Sequence, residues 1–267
     1  MKQASDYDSM IGFAPEAAPR EDLETLTLDS DAAALFLDFD GTLVDIAPTP
    51  DSIRFGPEDA ELLDALYRRH ASAVAVVSGR DLRDLDRYLD CFAGTVSGGH
   101  GAELRHGKTE LPGVDCDLER LARLKDAVRA FAGAEPRVIA EDKSFGIVLH
   151  FRQHPQLEGK VRDFLSDLVD DDGDFGLQSA KMAIEIKQNG ISKADAIERI
   201  MRFEEFEGRG IVFAGDDETD EAAFRWIDER GGVTIKIGDG PTRARYRTPT
   251  PSAFKDWLRV QPGGTRA

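Results

Sequence analysis

The sequence predicts an α/β protein in which a doubly wound parallel sheet is interrupted by an inserted α+β domain. Three observations lead to this prediction. Short apolar runs that end in polar residues alternate with helical patterns over the first third of the chain. Near the middle the pattern changes to strict apolar-polar alternation, which is typical of an antiparallel sheet. After residue 187 the first pattern returns, so the segment between is expected to form a second domain.

Four segments follow from these changes of pattern. Residues 1–30 mix acidic residues, alanine and proline without periodicity, and we expect a loosely ordered leader there. Residues 31–106 and 187–267 are assigned to the two parts of the core, and 107–186 to the inserted domain. A chain of 267 residues is long enough to bury the interior of both.

The first core segment alternates strands with helices. Each predicted strand is a short apolar run that stops at polar residues, as expected for a strand buried on both faces. Pro57 takes a first-turn position in its helix, where proline is tolerated. The predicted elements are, in order, the strand Ala32–Leu37, the helix Pro57–His70, the strand Ala73–Val77, the helix Asp81–Leu89 and a short strand running into Gly98.

The inserted domain is predicted to be an antiparallel sheet covered by helices. In the strand Phe145–Arg152, every second residue is a large apolar one, so a single face is buried. Its predicted neighbours are the strands Val138–Lys143 and Lys181–Lys187, and the covering helices are Cys116–Phe131 and one carrying Leu157, Val161, Leu165 and Leu168.

The second core segment repeats the strand-helix alternation. A helix starts at Ser192, the strand Ile211–Ala214 precedes another helix, and Val233–Ile237 is the last predicted strand. Ligands of doubly wound sheets bind beyond the carboxyl ends of the strands, so the polar residues at these ends are expected to converge.

Asp38 and Asp40 directly follow the first predicted strand. Alternation along an extended chain puts both carboxylates on the same side, with Phe39 turned away. One carboxylate can attack an electrophile while the other transfers protons. Gly41 permits a tight turn, and Thr42 can hold this loop through its hydroxyl. Taken alone, the two aspartates are equally explained as turn formers at a strand end.

Ser78, Gly79, Arg80 and Lys193 add groups that can hold an anion. A serine hydroxyl and main-chain N–H groups at a helix start bind phosphoryl oxygens, although a simple helix cap is the commoner explanation of such a segment. Lys193 stands at the start of a helix, where the helix dipole disfavours a cation. A bound anion explains that position, and an exposed helix lysine is the alternative.

Four acidic residues lie within five positions after Gly215. Repulsion among them must be relieved by a cation, by lysines or by solvent. Hard oxygen ligands favour Mg²⁺, which keeps several waters and is often completed by a substrate phosphate. A Mg²⁺ site is therefore predicted, with a solvated acidic helix start as the alternative, at Asp216, Asp217, Glu218 and Asp220.

These segments follow one another along the chain as Asp38-Phe39-Asp40-Gly41-Thr42, Ser78, Lys193 and Gly215-Asp216-Asp217. Their order resembles that of the haloacid dehalogenase superfamily of phosphotransferases. The resemblance implies that Asp38 forms an aspartyl phosphate, that Asp40 is general acid and base, and that Ser78 and Lys193 contact the phosphoryl group. It also implies that Mg²⁺ is held by Asp38, the main-chain carbonyl of Asp40 and Asp216, supported by Asp217 and Asp220.

The inserted domain carries Glu141-Asp142-Lys143, His150-Phe151-Arg152 and Lys181 through Glu185, and the core carries Gly99-His100-Gly101. Together they resemble the trehalose-6-phosphate phosphatase family over about residues 31–258. This resemblance implies a cap domain of the C2B type and the last step of trehalose biosynthesis. It implies that Glu141, Lys143 and Glu185 contact trehalose hydroxyls. The substrate-binding residues predicted in all are Thr42, Gly79, Arg80, His100, Glu141, Lys143, His150, Arg152, Glu185 and Lys187.

Strand alternation supports a sugar-binding cap independently. It puts Glu141 with Lys143, His150 with Arg152, and Lys181 with Glu185 and Lys187 on polar faces, which suit a ligand rich in hydroxyl groups. A solvated sheet face with ordinary ion pairs is the alternative. Two positions depart from the family pattern, Lys187-Gln188 in place of Arg-Pro and Lys193-Ala194 in place of Lys-Gly.

Other functions remain open at this stage. A phosphatase of the same superfamily acting on the phosphate of sucrose or glucosylglycerate is the nearest alternative. A phosphomutase is disfavoured because nothing marks a second phosphate site. A signalling receiver shares the phosphorylated aspartate and acidic metal site but lacks an inserted domain. An inactive binding protein is disfavoured because all five predicted core groups are present.

Composition limits the partners and the compartment. A net charge of −17 makes nucleic acid or an anionic membrane surface poor partners, whereas lysines gathered at one site can still bind a small anion. Two cysteines without C-x-x-C spacing are expected to be free thiols. No apolar run approaches the roughly 20 residues that span a bilayer, and no secretory signal is recognised, so we expect a cytoplasmic protein.

Overall fold

The computed structural model describes residues 21–47, 52–114, 116–169, 173–180 and 182–262. Residues 1–20 of the predicted leader lie outside this part, as does Lys181. The strands are, in chain order, β1 (Ala33–Leu37), β2 (Val74–Val77), β3 (Thr95–Gly98), β4 (Glu103–His106), β5 (Thr109–Leu111), β6 (Ile139–Lys143), β7 (Gly146–His150), β8 (Phe175–Ala180), β9 (Ala183–Gln188), β10 (Gly210–Gly215), β11 (Val233–Ile237) and β12 (Tyr246–Thr248). The helices are α1 (Pro57–Arg69), α2 (Leu82–Leu89), α3 (Leu118–Ala134), α4 (Glu158–Leu168), α5 (Lys193–Ile200), α6 (Glu218–Asp228) and α7 (Pro251–Val260).

The larger sheet has the strand order β12-β11-β10-β1-β2-β3-β4-β5. Its first six strands are parallel, and β4 and β5 add an antiparallel hairpin at one edge. The predicted doubly wound core is confirmed. Because β1 and β10 are neighbours near the centre of this sheet, the loops after them lie side by side.

Both faces of this sheet are covered by helices, as the apolar strands require. Along β1, Leu35 and Leu37 pack in the cluster that contains leucines of α1 and α2 and Phe254 of α7. Ala34 and Phe36 point the other way, into the cluster formed with α5 and α6. Each large side chain buried in this way contributes about 1.5–3 kcal/mol.

The smaller sheet is antiparallel, with the order β6-β7-β9-β8. Its apolar face carries Ile147, Leu149, Ile184 and Ile186, which pack against α3 and α4. Ile147 and Leu149 share this apolar face as predicted, but Gly146 and Val148 on the opposite face of β7 are buried as well. The opposite face of the sheet turns away from α3 and α4, and we call it the free face. We call this smaller sheet with α3 and α4 the cap, and the larger sheet with its helices the core.

The structure corrects several predicted bounds. β7 ends at His150, because the main chain turns after Phe151, whose carbonyl accepts from the His154 N–H at 2.8 Å. Arg152 therefore lies in an exposed turn and does not continue the polar face. The strand pairing assigns β5 to the core sheet and β9, through Gln188, to the cap sheet. The boundaries of the domains themselves stay a prediction.

Candidate active site

The polar residues predicted at the strand ends do converge. Asp38 follows β1, Ser78 follows β2 and Asp216 follows β10, and these three strands are neighbours in the sheet. The chain continues in register past β1, since the Asp38 N–H donates to the Ala214 carbonyl at 2.9 Å. Their side chains therefore meet at the carboxyl edge of the core, where open α/β sheets bind ligands.

Lys193 is the buried cation at the centre of this site. Its Nζ lies 2.7 Å from Asp38 Oδ1 and 2.6 Å from Asp220 Oδ1, and only 3% of the side chain is exposed. Ser192 caps α5, with its hydroxyl accepting from the Asp195 N–H at 3.2 Å, and this cap fixes Lys193 in the first turn. The alternative of an exposed helix lysine is excluded.

The charges of this cluster shift its pKa values. Burial works to lower the pKa of Lys193, but the carboxylates of Asp220 and Asp38 outweigh it and raise that pKa, so the ammonium stays charged. Burial raises the pKa of Asp38 well above its usual range, and Lys193 only partly offsets it. Burial, followed by the charges of Asp220 and Asp217, raises the pKa of Asp216 to about 6.

Burial is the largest cause of the two carboxyl shifts, and repulsion among crowded carboxylates adds to it. Oxygen atoms of Asp38, Asp216 and Asp220 lie within 4.8 Å of one another, and Lys193 contacts two of the three, Asp38 and Asp220. A hard divalent cation relieves this repulsion and prefers carboxylate oxygens. The donor set therefore fits Mg²⁺. Asp217 has a different place, because its side chain accepts from the Glu218 N–H at 2.8 Å and caps α6.

Gly41 is required where the loop after β1 crosses the loop after β10. Its φ is +72°, a left-handed conformation that favours glycine. A Cβ at this position would lie 2.0 Å from Asp216 Oδ2. The loop itself is held by the main chain, with the Gly41 N–H donating to the Val44 carbonyl at 2.7 Å. The Thr42 hydroxyl is fully buried without a hydrogen-bond partner among the described residues, so the prediction that it holds the loop is wrong.

Asp40 is held by Arg80. The guanidinium donates from Nε to Asp40 Oδ2 at 2.5 Å and from Nη2 to Oδ1 at 2.6 Å, a bidentate ion pair. The carboxylate of Asp40 thus stands apart from the buried cluster and is 36% exposed. Arg80, predicted to bind substrate, contacts the predicted acid and base in this structure. The neighbouring Ser78 is buried, with Oγ accepting from the Arg80 N–H at 3.2 Å.

His100 lies between the core and the cap. Its φ of 57° places it in a sharp turn, and its ring packs on Gly79, where a Cβ would lie 2.5 Å from the imidazole. Burial lowers the pKa of His100 well below its usual range, and the ammonium groups of Lys193, Lys143 and Lys187 lower it further. The imidazole is therefore neutral at pH 7, and three lysines gather around it in an acidic protein. This concentration of positive charge suits an anionic ligand.

The free face of the cap sheet carries the predicted sugar-binding residues. Strand pairing aligns Lys143, Gly146 and Lys187 in one row and Glu141, Val148 and Glu185 in the next. Lys143 Nζ lies 3.4 Å from Glu185 Oε2, and His150 Nε2 lies 2.6 Å from Glu141 Oε2. This face and the core loop at His100 enclose a cleft lined by Asp81, Gly99, His100, Lys143, Phe145, Gly146, Glu185, Lys187, Gln188 and Ile191.

Sequence reasoning missed Lys236. This lysine is buried in β11, and its Nζ donates to the main-chain carbonyl of Asp216. Lys236 therefore holds the main chain of the acidic loop in place. A lysine within the apolar run Val233–Ile237 was the available signal, since a charged residue on a fully buried strand needs a partner.

The doubly wound core, with two aspartates after its central strand and a buried lysine bonded to the first, defines a hydrolase of the haloacid dehalogenase class. A haloacid dehalogenase-like hydrolase from Bacillus subtilis shares the fold, with a TM-score of 0.60 over 86% of this chain. The chain belongs to the trehalose-phosphatase family, whose sequence profile matches residues 36–252. The family predicted from the sequence is thus confirmed.

Named relatives agree with this assignment. The chain is 37% identical to a probable trehalose-phosphate phosphatase of Sinorhizobium fredii, over 84% of this chain and 85% of that protein. It is 34% identical to the trehalose-6-phosphate phosphatase of Escherichia coli, over 85% of each chain. The C-terminal domain of a Candida albicans trehalose-6-phosphate phosphatase has the same fold, with a TM-score of 0.80 over 92% of this chain and 98% of that one, at 18% identity.

None of the helices in the described ranges has the length and apolar character needed to cross a membrane.

Proposed function

We propose that this protein hydrolyses trehalose 6-phosphate to trehalose and phosphate, as the last step of trehalose biosynthesis in the cytoplasm. The observation that carries the proposal is the buried contact of Lys193 Nζ with Asp38 Oδ1 at 2.7 Å, beside the acidic cluster. It puts a nucleophilic carboxylate, a charge-neutralising ammonium and a set of Mg²⁺ ligands at one point. Membership of the trehalose-phosphatase family supplies the substrate.

In the first half of the proposed reaction, an Asp38 carboxylate oxygen attacks phosphorus while the bond from phosphorus to the sugar oxygen breaks. Asp40 donates its proton to that oxygen, so trehalose leaves as a neutral alcohol. Ser78 and Lys193 hold the phosphoryl oxygens and offset their charge as they approach the carboxylate. Asp38 then carries the phosphoryl group as an aspartyl phosphate.

In the second half, Asp40 takes a proton from a water molecule, and the resulting hydroxide attacks phosphorus. The bond from phosphorus to Asp38 breaks, which releases phosphate and regenerates the carboxylate. The proton on Asp40 is then available for the next substrate. The exposed position of Asp40, outside the buried cluster, supports this role because both the leaving oxygen and the incoming water must reach it.

Mg²⁺ would be held by Asp38, Asp216, Asp220 and the main-chain carbonyl of Asp40, with Asp217 fixing the loop through its cap on α6. When bound, Mg²⁺ neutralises part of the negative charge that gathers as the phosphate meets Asp38. The excess of carboxylates over ammonium groups in the buried cluster supports this assignment.

The cap face supports a sugar as the leaving group. Lys143, Glu185 and Lys187 present both hydrogen-bond donors and acceptors toward the cleft, and a disaccharide carries many hydroxyls that need both. Glu141 belongs to the same row of the sheet as Glu185, and His150 is bonded to it and fixes its carboxylate.

The test is phosphate release from a panel of sugar phosphates, with and without Mg²⁺. The panel contains trehalose 6-phosphate, sucrose 6-phosphate, glucosylglycerate phosphate, glucose 6-phosphate and p-nitrophenyl phosphate. We expect trehalose 6-phosphate to have the highest kcat/KM and activity to be lost when EDTA removes Mg²⁺. Turnover of another sugar phosphate without trehalose 6-phosphate would refute the substrate, and full activity in EDTA would refute the metal.

A further inference from the structure

Three consecutive residues at the turn between β6 and β7 contact the cap, the core and the segment that joins them. Lys143 faces the cleft and lies 3.4 Å from Glu185. Ser144 donates from both its main-chain N–H and its hydroxyl to Asp81 Oδ2, each at 3.0 Å. The Phe145 ring lies against Gly113, in the segment that leads from β5 into the cap. The sugar-facing lysine thus sits next to a residue bonded to the core.

The Asp81 side chain makes this contact instead of capping its own helix. It occupies the N-cap position of α2, where an aspartate side chain normally accepts from an N–H of the first turn. Here the Asp81 side chain makes no such bond. Glu103 of β4 takes its place, with Oε2 accepting from the Leu82 N–H at 2.7 Å. Asp81 is therefore free to bond the cap, while the start of α2 is still satisfied.

The geometry points to Asp81 as a positioning residue that docks the β6–β7 turn on the core and so sets the place of Lys143 over the phosphorylated sugar. The inference rests on the proposed function and adds a residue to it. Asp81 directly follows Arg80, which contacts Asp40, so the docking point stands one residue from the core site. A turn held there keeps the sugar-contacting face at a constant distance from the reacting phosphate.

The experiment compares kcat/KM for trehalose 6-phosphate and for p-nitrophenyl phosphate in Asp81→Ala, Ser144→Ala and the double variant. We expect Asp81→Ala to lower kcat/KM for the sugar phosphate about tenfold, because two hydrogen bonds to a carboxylate are lost. Turnover of the aryl phosphate, which has no sugar for the cap to hold, should stay within about threefold. Ser144→Ala should have a smaller effect, and little further effect in the Asp81→Ala background, where the Ser144 side chain keeps only Glu103 as a partner.

Two further variants separate docking from a merely structural role. Asp84→Ala removes an exposed aspartate of the same helix, in a surface pair with Arg87, and should change neither substrate. The exchange Asp81→Ser with Ser144→Asp rebuilds a hydrogen bond between the two positions and should recover part of the loss. Equal losses on both substrates, additive effects in the double variant, or unchanged kinetics in Asp81→Ala would each overturn the proposal.

A wild-type enzyme that fails to hydrolyse trehalose 6-phosphate would instead overturn the proposed function. In that case the comparison is repeated with the sugar phosphate that the panel identifies, and an unchanged ratio of the two substrates in Asp81→Ala would overturn the docking role. The two failures are therefore distinguishable.

Discussion

The core cluster and the cap face use the same residue types, lysine with carboxylates, under opposite conditions. Lys193 and Asp38 are 3% and 5% exposed, and their contact is short. On the cap, Glu141 is 45% exposed, and Lys143 reaches Glu185 only at 3.4 Å. The core charges are fixed in place by one another and by burial, whereas on the cap a buried Glu185 has only a long contact to Lys143, and Glu141 stays half exposed beside His150.

This difference assigns the two regions different tasks. Charges that are buried and already ordered can stabilise a transition state without reorganising. Partly solvated charges on a sheet face lose little when they exchange water or a weak ion pair for sugar hydroxyls. We therefore expect core substitutions to affect every substrate alike, and cap substitutions to affect only substrates with a sugar.

The largest expected effect is that of Asp38→Asn. The variant keeps the shape of the side chain but removes the nucleophile, so turnover of both the sugar phosphate and the aryl phosphate should fall at least about 10³-fold. The fold should survive, because one carboxylate is removed from a crowded cluster in which Lys193 keeps Asp220. Steady-state kinetics and thermal melting measure the two outcomes, and substantial activity in this variant would refute the assigned nucleophile.

Asp40→Asn tests the second core role. An amide cannot accept a proton from water, so the aspartyl phosphate should form slowly and then persist, with turnover lowered about 10²- to 10⁴-fold on both substrates. Acid quenching and intact-protein mass spectrometry should detect one added phosphoryl group. Loss of activity on the sugar phosphate alone would indicate that Asp40 acts in sugar binding rather than in proton transfer.

Glu141→Ala is the matching test of the cap. Its loss removes an acceptor from the sugar-facing row, so kcat/KM for trehalose 6-phosphate should fall about 30-fold while that for p-nitrophenyl phosphate changes less than about threefold. Asp142→Ala is the control, because this neighbouring carboxylate points to the other face and pairs with Arg129 of α3. Parallel losses on both substrates would remove the distinction between the two regions.

The sequence predicted the core better than the cap for a physical reason. The core residues stand in short motifs at the ends of apolar strands, and parallel pairing brings such ends to one edge whatever the register. The placement of Asp38, Ser78 and Asp216 could therefore be predicted, whereas Lys193 stands at the start of a helix and its place was predicted only from the order of the motifs. The side-chain contacts of Asp40 and Asp217 were less predictable. Arg80 reaches Asp40, and Asp217 caps its helix, through side-chain conformations that the spacing of residues does not determine.

On the cap, the faces of β6, β7 and β9 followed from alternation, but where a strand stops did not. Arg152 was placed on the polar face by continuing the alternation two residues too far. The strand β8, the hairpin β4–β5, the strand β12 and the helix α7 were not predicted. For β5 and β12 the reason is their length, since each has only three residues and bears little periodicity. Contacts between distant segments, such as Asp81 with Ser144, leave no signal in spacing at all.

The smallest expected effect is on the thermal stability of the protein, because the core carboxylates repel one another when no metal is bound. Asp216 has a pKa of about 6 in the folded protein, above the value of about 3.9 of a free aspartate. Protonation of Asp216 therefore adds stability that is complete below about pH 4 and is lost as the pH rises through about 6. Above that pH, we expect a bound Mg²⁺ to supply the missing positive charge.

We accordingly expect Mg²⁺ to raise Tm by several degrees at pH 7.5 and by much less at pH 5, as measured by differential scanning fluorimetry against EDTA. Asp216→Asn is the control, because without this carboxylate both the Mg²⁺-dependent increment and its pH dependence should largely disappear. The cap variant Glu141→Ala should retain both, since Glu141 lies outside the carboxylate cluster. An equal increment at the two pH values would show that the proton and the metal do not compete for Asp216.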